Sequence, residues 1–237
     1  MNTTTLSEIV LESFILGGSK VIEKLKIVAL KEIEEQTFEL TKSYLTVNKL
    51  VYKNNEPQID DVIVNEEEGT AAVYFPIENE EYYFVIYLDI SPQIRVRFMG
   101  MSAGSRVYFS VSSEDIELEK LVDEIDIMPI RTWQKGTKIP NLKIDRFYED
   151  SGFILEYDSR RTGEVEDKLL NILDKLECLN LISIVKSDNI NRVLQVVYYG
   201  YKDEMWGINL NPIIIKKLSM LNTYLDIDLY ASGPNLE

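Results

Sequence analysis

The segment Ala71-Ala-Val-Tyr-Phe-Pro-Ile-Glu-Asn-Glu-Glu-Tyr-Tyr-Phe-Val-Ile-Tyr-Leu88 holds two runs of β-branched and aromatic residues on either side of a polar turn. Such residues suit a pleated, half-buried surface, and Ile77–Glu81 supplies the turn. Ala71–Phe75 and Tyr82–Leu88 therefore read as paired strands. The same grammar continues outward through Asp61–Val64, Ile94–Met99 and Arg106–Val111, with turns at Asn65–Gly69, Ser91-Pro92 and Gly100–Gly104. An antiparallel meander is predicted between Ile59 and Val111. Its hairpin tips carry Glu66, Glu67 and Glu68 at one turn and Glu78, Glu80 and Glu81 at another.

Upstream, Thr5-Leu-Ser-Glu8 is a capping-box pattern that opens a helix through Ile9, Val10 and Phe14, and Gly17-Gly18 is expected to interrupt it. A second helical stretch puts Val21, Leu25, Val28 or Ala29, and Ile33 on one face. Helical and strand periods fit Thr37–Tyr52 equally, so that segment stays open. Downstream, Ser112 and Asp115 suggest a helix start, with Leu118, Leu121, Val122 and Ile125 as its buried stripe. Strands at Ile130–Gln134 and Phe153–Asp158 precede a helix capped by Thr162 that buries Val165, Leu169, Ile172, Leu173 and Leu176. A strand at Val193–Tyr201 leads to Asn211-Pro212, a helix start because Asn caps and Pro is tolerated at the first helical position. Tyr224–Tyr230 is the last strand. The order β-α-β-β-α-β-α-β implies helices on one face of a mostly antiparallel sheet. The expected class is α+β: N-terminal helices and a meander over residues 1–104, then an α+β sandwich over 105–237.

Composition narrows the chemistry. The 237 residues include 40 Asp plus Glu against 25 Lys plus Arg, a formal net charge of −15, and no histidine. Without imidazole there is no Ser-His or Cys-His dyad and no His metal ligand. The single cysteine, Cys178, excludes an intramolecular disulfide and a cysteine zinc site, and it reads as a small buried apolar residue. A charge of −15 argues against nucleic acid, because phosphate binding needs a basic face. No run approaches the ~18 apolar residues of a membrane span, and no basic n-region of a secretory signal opens the chain, so a cytoplasmic protein is expected.

Catalytic motifs fail on inspection. Gly100-Met-Ser102-Ala-Gly104 has the G-x-S-x-G spacing of a nucleophile elbow, but a strand follows the serine and no histidine exists to serve it. Gly17-Gly-Ser-Lys20 lacks the spacing of a phosphate-binding loop. Asp226 and Asp228, two apart on a strand, point to one face and are the candidates for a metal site, although the polar face of an amphipathic strand explains them as well. In Pro129-Ile-Arg131-Thr-Trp133-Gln-Lys135-Gly136, Trp133 and Arg131 suit an anchoring strand, and the same pair suits a recognition site.

Several of these stretches taken together resemble a known family. Arg106-Val-Tyr-Phe-Ser-Val111, Met128-Pro-Ile-Arg-Thr-Trp-Gln-Lys-Gly136, Ser151-Gly-Phe-Ile-Leu155 and Leu225-Asp-Ile-Asp-Leu-Tyr230, with helices between them, are similar to the bacterial domain of unknown function 4279 family over about residues 105–232. The resemblance implies a compact α+β bacterial domain and carries no catalytic residue. The family's Lys-Gly is often followed by an acidic residue where this chain has Thr137, so no carboxylate role is carried to that position.

The expected function is a non-enzymatic, cofactor-free binding protein that engages a basic protein, in the manner of an immunity protein neutralising a bacterial toxin. Its expected contacts are Glu66, Glu67, Glu68, Glu78, Glu80, Glu81, Arg131 and Trp133. The alternatives are a carboxylate-dependent, metal-assisted hydrolase or small-ligand-binding protein, and a structural homodimer subunit.

Overall fold

The computed structural model describes residues 6–122, 128–141, 143–178, 188–204 and 207–236, with side chains from residue 19 onward. The elements run α1 (Leu6–Glu35), α2 (Glu39–Val47), β1 (Tyr52–Lys53), β2 (Glu56–Pro57), β3 (Asp61–Asn65), β4 (Thr70–Pro76), β5 (Tyr83–Asp89), β6 (Arg95–Ser102) and β7 (Gly104–Ser113). Then come α3 (Leu118–Val122), β8 (Arg131–Trp133), β9 (Ser151–Glu156), α4 (Val165–Cys178), β10 (Asn191–Tyr201), α5 (Pro212–Met220) and β11 (Tyr224–Ser232). The fold is α+β, as the strand and helix patterns predict. The chain forms two compact units, one comprising Met1–Ala103 with Gly200–Met205 and Ala231–Glu237, the other Gly104–Tyr199 with Trp206–Tyr230.

In the first unit, β3, β4, β5 and β6 form a four-stranded antiparallel sheet in sequence order. One face, with Val73, Phe75, Phe84, Ile86 and Leu88, packs with Leu25, Ala29 and Ile33 of α1 and Tyr44 of α2 in one core cluster. The α1 stripe is the one its 3.6-residue spacing predicts. α1 is unbroken at Gly17-Gly18. A helical glycine costs about 1 kcal/mol against Ala, which weakens a helix without stopping it as a proline would. The predicted capping residue Thr5 lies outside the described residues.

The open segment at Thr37 becomes α2, and a buried carboxylate fixes its start. Glu32, 4% exposed, accepts hydrogen bonds from the Phe38 amide at 3.2 Å and the Thr41 hydroxyl at 2.6 Å, and from the amide and hydroxyl of Thr37. The Phe38 amide is one of the donors that a helix start leaves without an intrahelical partner, and the Thr41 hydroxyl ties the first turn to α1. Residues 200–204 complete this unit. The Glu204 carboxylate accepts from the Tyr44 hydroxyl and the Met101 amide, and the Tyr201 ring lies 5.4 Å from Tyr82 and 6.2 Å from Tyr44, centroid to centroid.

In the second unit the strand order is β11-β10-β7-β9-β8. Arg106–Val111 thus leaves the predicted meander and becomes the central strand of a different sheet. Gly100–Gly104 is no hairpin turn: β6 runs through Ser102, and Gly104 already starts β7. Apolar alternation marks a strand without naming its partners. Val107, Phe109 and Val111 of β7, Phe153 and Leu155 of β9, and Leu194 and Val196 of β10 share one cluster with Leu121 of α3, the predicted α4 stripe and Ile214 of α5. The helices therefore lie on one face.

Local starts differ in detail from expectation. The Ser113 hydroxyl, rather than Ser112, accepts from the amides of Asp115 and Ile116. α4 begins at Val165, three residues past Thr162. Asn211 caps α5 as predicted, its side chain accepting from the Ile213 and Ile214 amides. Ile125 lies outside the described residues. Cys178 is exposed rather than buried, because it ends α4 beyond the last buried position, Leu176.

Candidate functional site

The predicted acidic tips do not form one surface. Glu66, Glu67 and Glu68 occupy the β3–β4 turn, and Glu78, Glu80 and Glu81 the β4–β5 turn. Successive turns of a meander lie at opposite ends of the shared strand, and seven residues of β4 separate these two by roughly 20 Å. Glu66, Glu67, Glu68, Glu78 and Glu81 are exposed, whereas Glu80 is half-buried and accepts the Ser232 hydroxyl. Asp226 and Asp228 stand exposed on β11, an edge strand, and Asp228 accepts a hydrogen bond from the Gln195 side chain at 2.9 Å. Burial, with Asp228 and Asp226 adding to it, pushes the Tyr108 phenol above its ordinary range. Among the described residues no three Asp, Glu or Cys side chains converge as ligands of one metal ion.

The polar side chains of the second unit gather instead at one end of its sheet. β7 pairs antiparallel with both β9 and β10, so its C-terminal end meets the N-terminal ends of those strands. There Ser112, Ser113, Glu114, Asp115, Asp150, Asp188, Asn189, Ile190, Asn191 and Tyr224 line a cleft of about 550 Å³. Its carboxylates are Glu114, Asp115, Asp150 and Asp188.

The Trp133 region builds the wall beside Asp150. Trp133 pairs directly with Gly152, and its indole lies so close over that glycine that a Cβ there would overlap the ring and the Val111 carbonyl. The indole N–H donates to Asp150 at 2.7 Å, and the ring stacks on Tyr148 at 6.1 Å. Arg131, exposed, donates to the Tyr148 hydroxyl at 2.9 Å. Two residues beyond Trp133, Lys135 donates through its amide to the Ser151 hydroxyl and through Nζ to the Glu114 carbonyl. Trp133 is half-buried, so packing and positioning describe it together. The sequence singles out Trp133 and Arg131 as suiting an anchoring strand or a recognition site and does not single out the carboxylates beside them. Glu114, Asp115, Asp150 and Asp188 are scattered over 75 residues of chain, and only the pairing of β7, β9 and β10 brings them to one place.

A second site of chemical interest is buried. Lys168 of α4 is 4% exposed and donates to the Ser105 carbonyl at 2.8 Å and the Ser105 hydroxyl at 3.0 Å. Burial pulls its ammonium down to about 8. Ser105 is 1% exposed, so no substrate reaches this pair as it stands, and its role is to satisfy a buried carbonyl.

The five-stranded sheet, backed by helices on one face and ending in a carboxylate-lined cleft, defines the class: an α+β domain whose polar groups collect at a sheet end. Residues 102–232 match the family described as domain of unknown function DUF4279, and the chain belongs to that family. The match covers the strands and helices of the second unit together with the segment that carries Trp133 and Lys135. No curated protein and no solved structure matches the chain. No helix among the described residues is long and apolar enough to cross a membrane.

Proposed function

We propose that the chain is a non-enzymatic, cytoplasmic binding protein that engages a basic protein through carboxylates, in the manner of an immunity protein neutralising a toxin. The observation that carries this reading is the charge: −15 over 237 residues. Exposed acidic residues steer a cationic partner over a distance of about a Debye length, ~10 Å at 0.1 M salt, and so act on association rate and specificity.

The separation of the tips gives the reading a sharper form. An ordinary interface of about 800 Å² per partner spans roughly 30 Å, so reversing the charge of each tip separately tells whether a partner bridges both or rests on one. Affinity capture at low salt from the source bacterium, followed by a salt step, is expected to release one stoichiometric basic protein. Glu66→Lys/Glu67→Lys/Glu68→Lys and Glu78→Lys/Glu81→Lys are expected to differ in their effect on that capture. Binding that survives ~0.5 M salt and both charge reversals would sink the electrostatic reading.

A further inference from the structure

Helices cover one face of the five-stranded sheet, and the residues that alternate with the core positions make the other face. A bare face is ordinary in a largely antiparallel sheet and is not a site by itself. What sets this one apart is the order of chemistry across it. The Gln195 amide donates to Asp228, Tyr199 stacks on Tyr230 and the Lys202 amide donates to the Ser232 carbonyl, so β11 runs beside β10 in the same direction. Asp226 therefore stands beside Val193. Strand pairing carries that row onward, Val193 opposite Ser110, Ser110 opposite Ile154 and Ile154 opposite Arg131. The neighbouring row runs from Tyr224 through Asn191, Ser112 and Gly152 to Trp133.

Both rows are complementary to their own reverse. The first has a carboxylate at one end, a guanidinium at the other and an aliphatic side chain on each side of a central serine. The second has an aromatic ring at each end. A second copy turned half a revolution about the line of β7 sets Arg131 over Asp226, Ile154 over Val193 and Trp133 over Tyr224, and repeats each contact on the far side, as an isologous interface requires. Stacked sheets lie about 10 Å apart, a gap that an Arg and an Asp side chain reaching toward each other can close.

The end groups are available for this. Asp226 and Arg131 are exposed, and neither is in an ion pair among the described residues; Arg131 donates to the neutral Tyr148 hydroxyl. Tyr224 is 71% exposed. Arg106 and Glu156, also on this face, neutralise each other through two hydrogen bonds of 2.9 Å. Val193 and Ile154 are half-buried and belong to none of the core clusters. Five strands about 4.8 Å apart, over the roughly 20 Å from Arg106 to Ser112, give each copy about 500 Å² of face. Two copies then bury about 1,000 Å², the low end for a specific interface.

We propose that this face pairs with the same face of a second copy of the chain, forming a two-fold dimer joined by reciprocal Asp226–Arg131 contacts. The dimer does not rest on the proposed function, since two copies can associate whether or not a basic protein binds.

Sedimentation equilibrium of the full chain at low salt, from about 1 to about 200 μM, is expected to show monomer giving way to dimer with Kd below about 100 μM. Asp226→Arg should weaken the dimer at least about tenfold, because like charges then meet at both ends, and Arg131→Asp should do the same. In an equimolar mixture of these two variants every end contact again joins opposite charges, so dimer within about threefold of the original affinity is expected. Should either reversal unfold the chain, Tyr224→Ala/Asp226→Asn, at exposed positions, must weaken the dimer at least about tenfold. A chain that stays monomeric, a mass that grows past two copies, a dimer indifferent to both reversals, or a mixture of folded variants no better than its components overturns the dimer. Sensitivity to Asp226 without sensitivity to Arg131 overturns it as well, because that result belongs to pairing along the edge of β11.

Discussion

The two units bury their strands in different ways. In the first, residues 71–75 of β4 and 83–86 of β5 are buried without a break, so both faces of the sheet centre are covered: Val73, Phe75, Phe84 and Ile86 by one cluster, Ala72, Tyr74, Tyr83 and Val85 by another. In the second, β7 and β10 alternate, giving Val107, Phe109 and Leu194, Val196 to the core and Arg106, Tyr108 and Gln195 to the other face. A sheet centre buried on both faces leaves no position for solvent chemistry, and its polar residues are driven to the turns. An alternating sheet keeps one polar face, and its ends can assemble a site.

This contrast can be broken by mutation. Phe84→Ala, at a side chain with 0% exposure, is expected to destabilise the first unit by about 4 kcal/mol, seen as an early urea transition by circular dichroism. If the loss were under about 1 kcal/mol, the continuous burial of β5 would not be what holds that sheet. Gly152→Ala is expected to cost about 3 kcal/mol in the second unit, because the added methyl meets the Val111 backbone as well as the Trp133 ring. A shift in tryptophan fluorescence should accompany it.

Alkali should separate the units further. Lys168 ionises in the native state near 8 against an ordinary value of 10.5. Between those values the unfolded chain binds more protons, so the second unit should gain stability as pH rises from about 8 toward 10, by about 2 kcal/mol. Lys168→Met should flatten that rise. In the first unit, burial pushes Tyr44, Tyr82 and Tyr83 well above their ordinary 10, so its stability is full below pH 10 and lost above it. Thermal melts across pH 8–10 that showed no rise for the second unit, or an equal rise for the first, would contradict this assignment.

Trp133→Phe keeps most of the packing over Gly152 and removes the N–H bond to Asp150, with an expected loss of about 1 kcal/mol. Smallest of all, Glu66→Gln at an exposed turn should change stability by less than about 0.5 kcal/mol.

Local periodicity carried most of the fold. The α1 stripe of Leu25, Ala29 and Ile33, the α4 stripe from Val165 to Leu176 and the Asn211 cap are all stated by spacing and side-chain chemistry. Partnership was not legible: Arg106–Val111 has the same alternation whether it closes a meander or centres a second sheet, and nothing local distinguishes the two. α2 was hidden for a related reason, since the group that fixes its start, Glu32, sits in the preceding helix. The cleft was illegible altogether. Ser112, Asp150 and Asp188 meet through strand pairing, whereas Trp133 stood out because a large aromatic beside Arg, Lys and Gly is unusual in itself.

The pieces of chain from Gly200 to Met205 and from Ala231 onward belong with the first unit. Tyr201 and Glu204 contact Tyr44, Tyr82 and Met101, residues synthesised long before them. During translation the α1–β6 segment therefore emerges from the ribosome lacking part of its own interior, and residues Gly104–Tyr199 of the second unit are made before that gap is filled. The first unit to be synthesised is the last to be finished, and a ribosome pausing near residue 190 would leave Tyr44 and Tyr82 waiting in water for their partner.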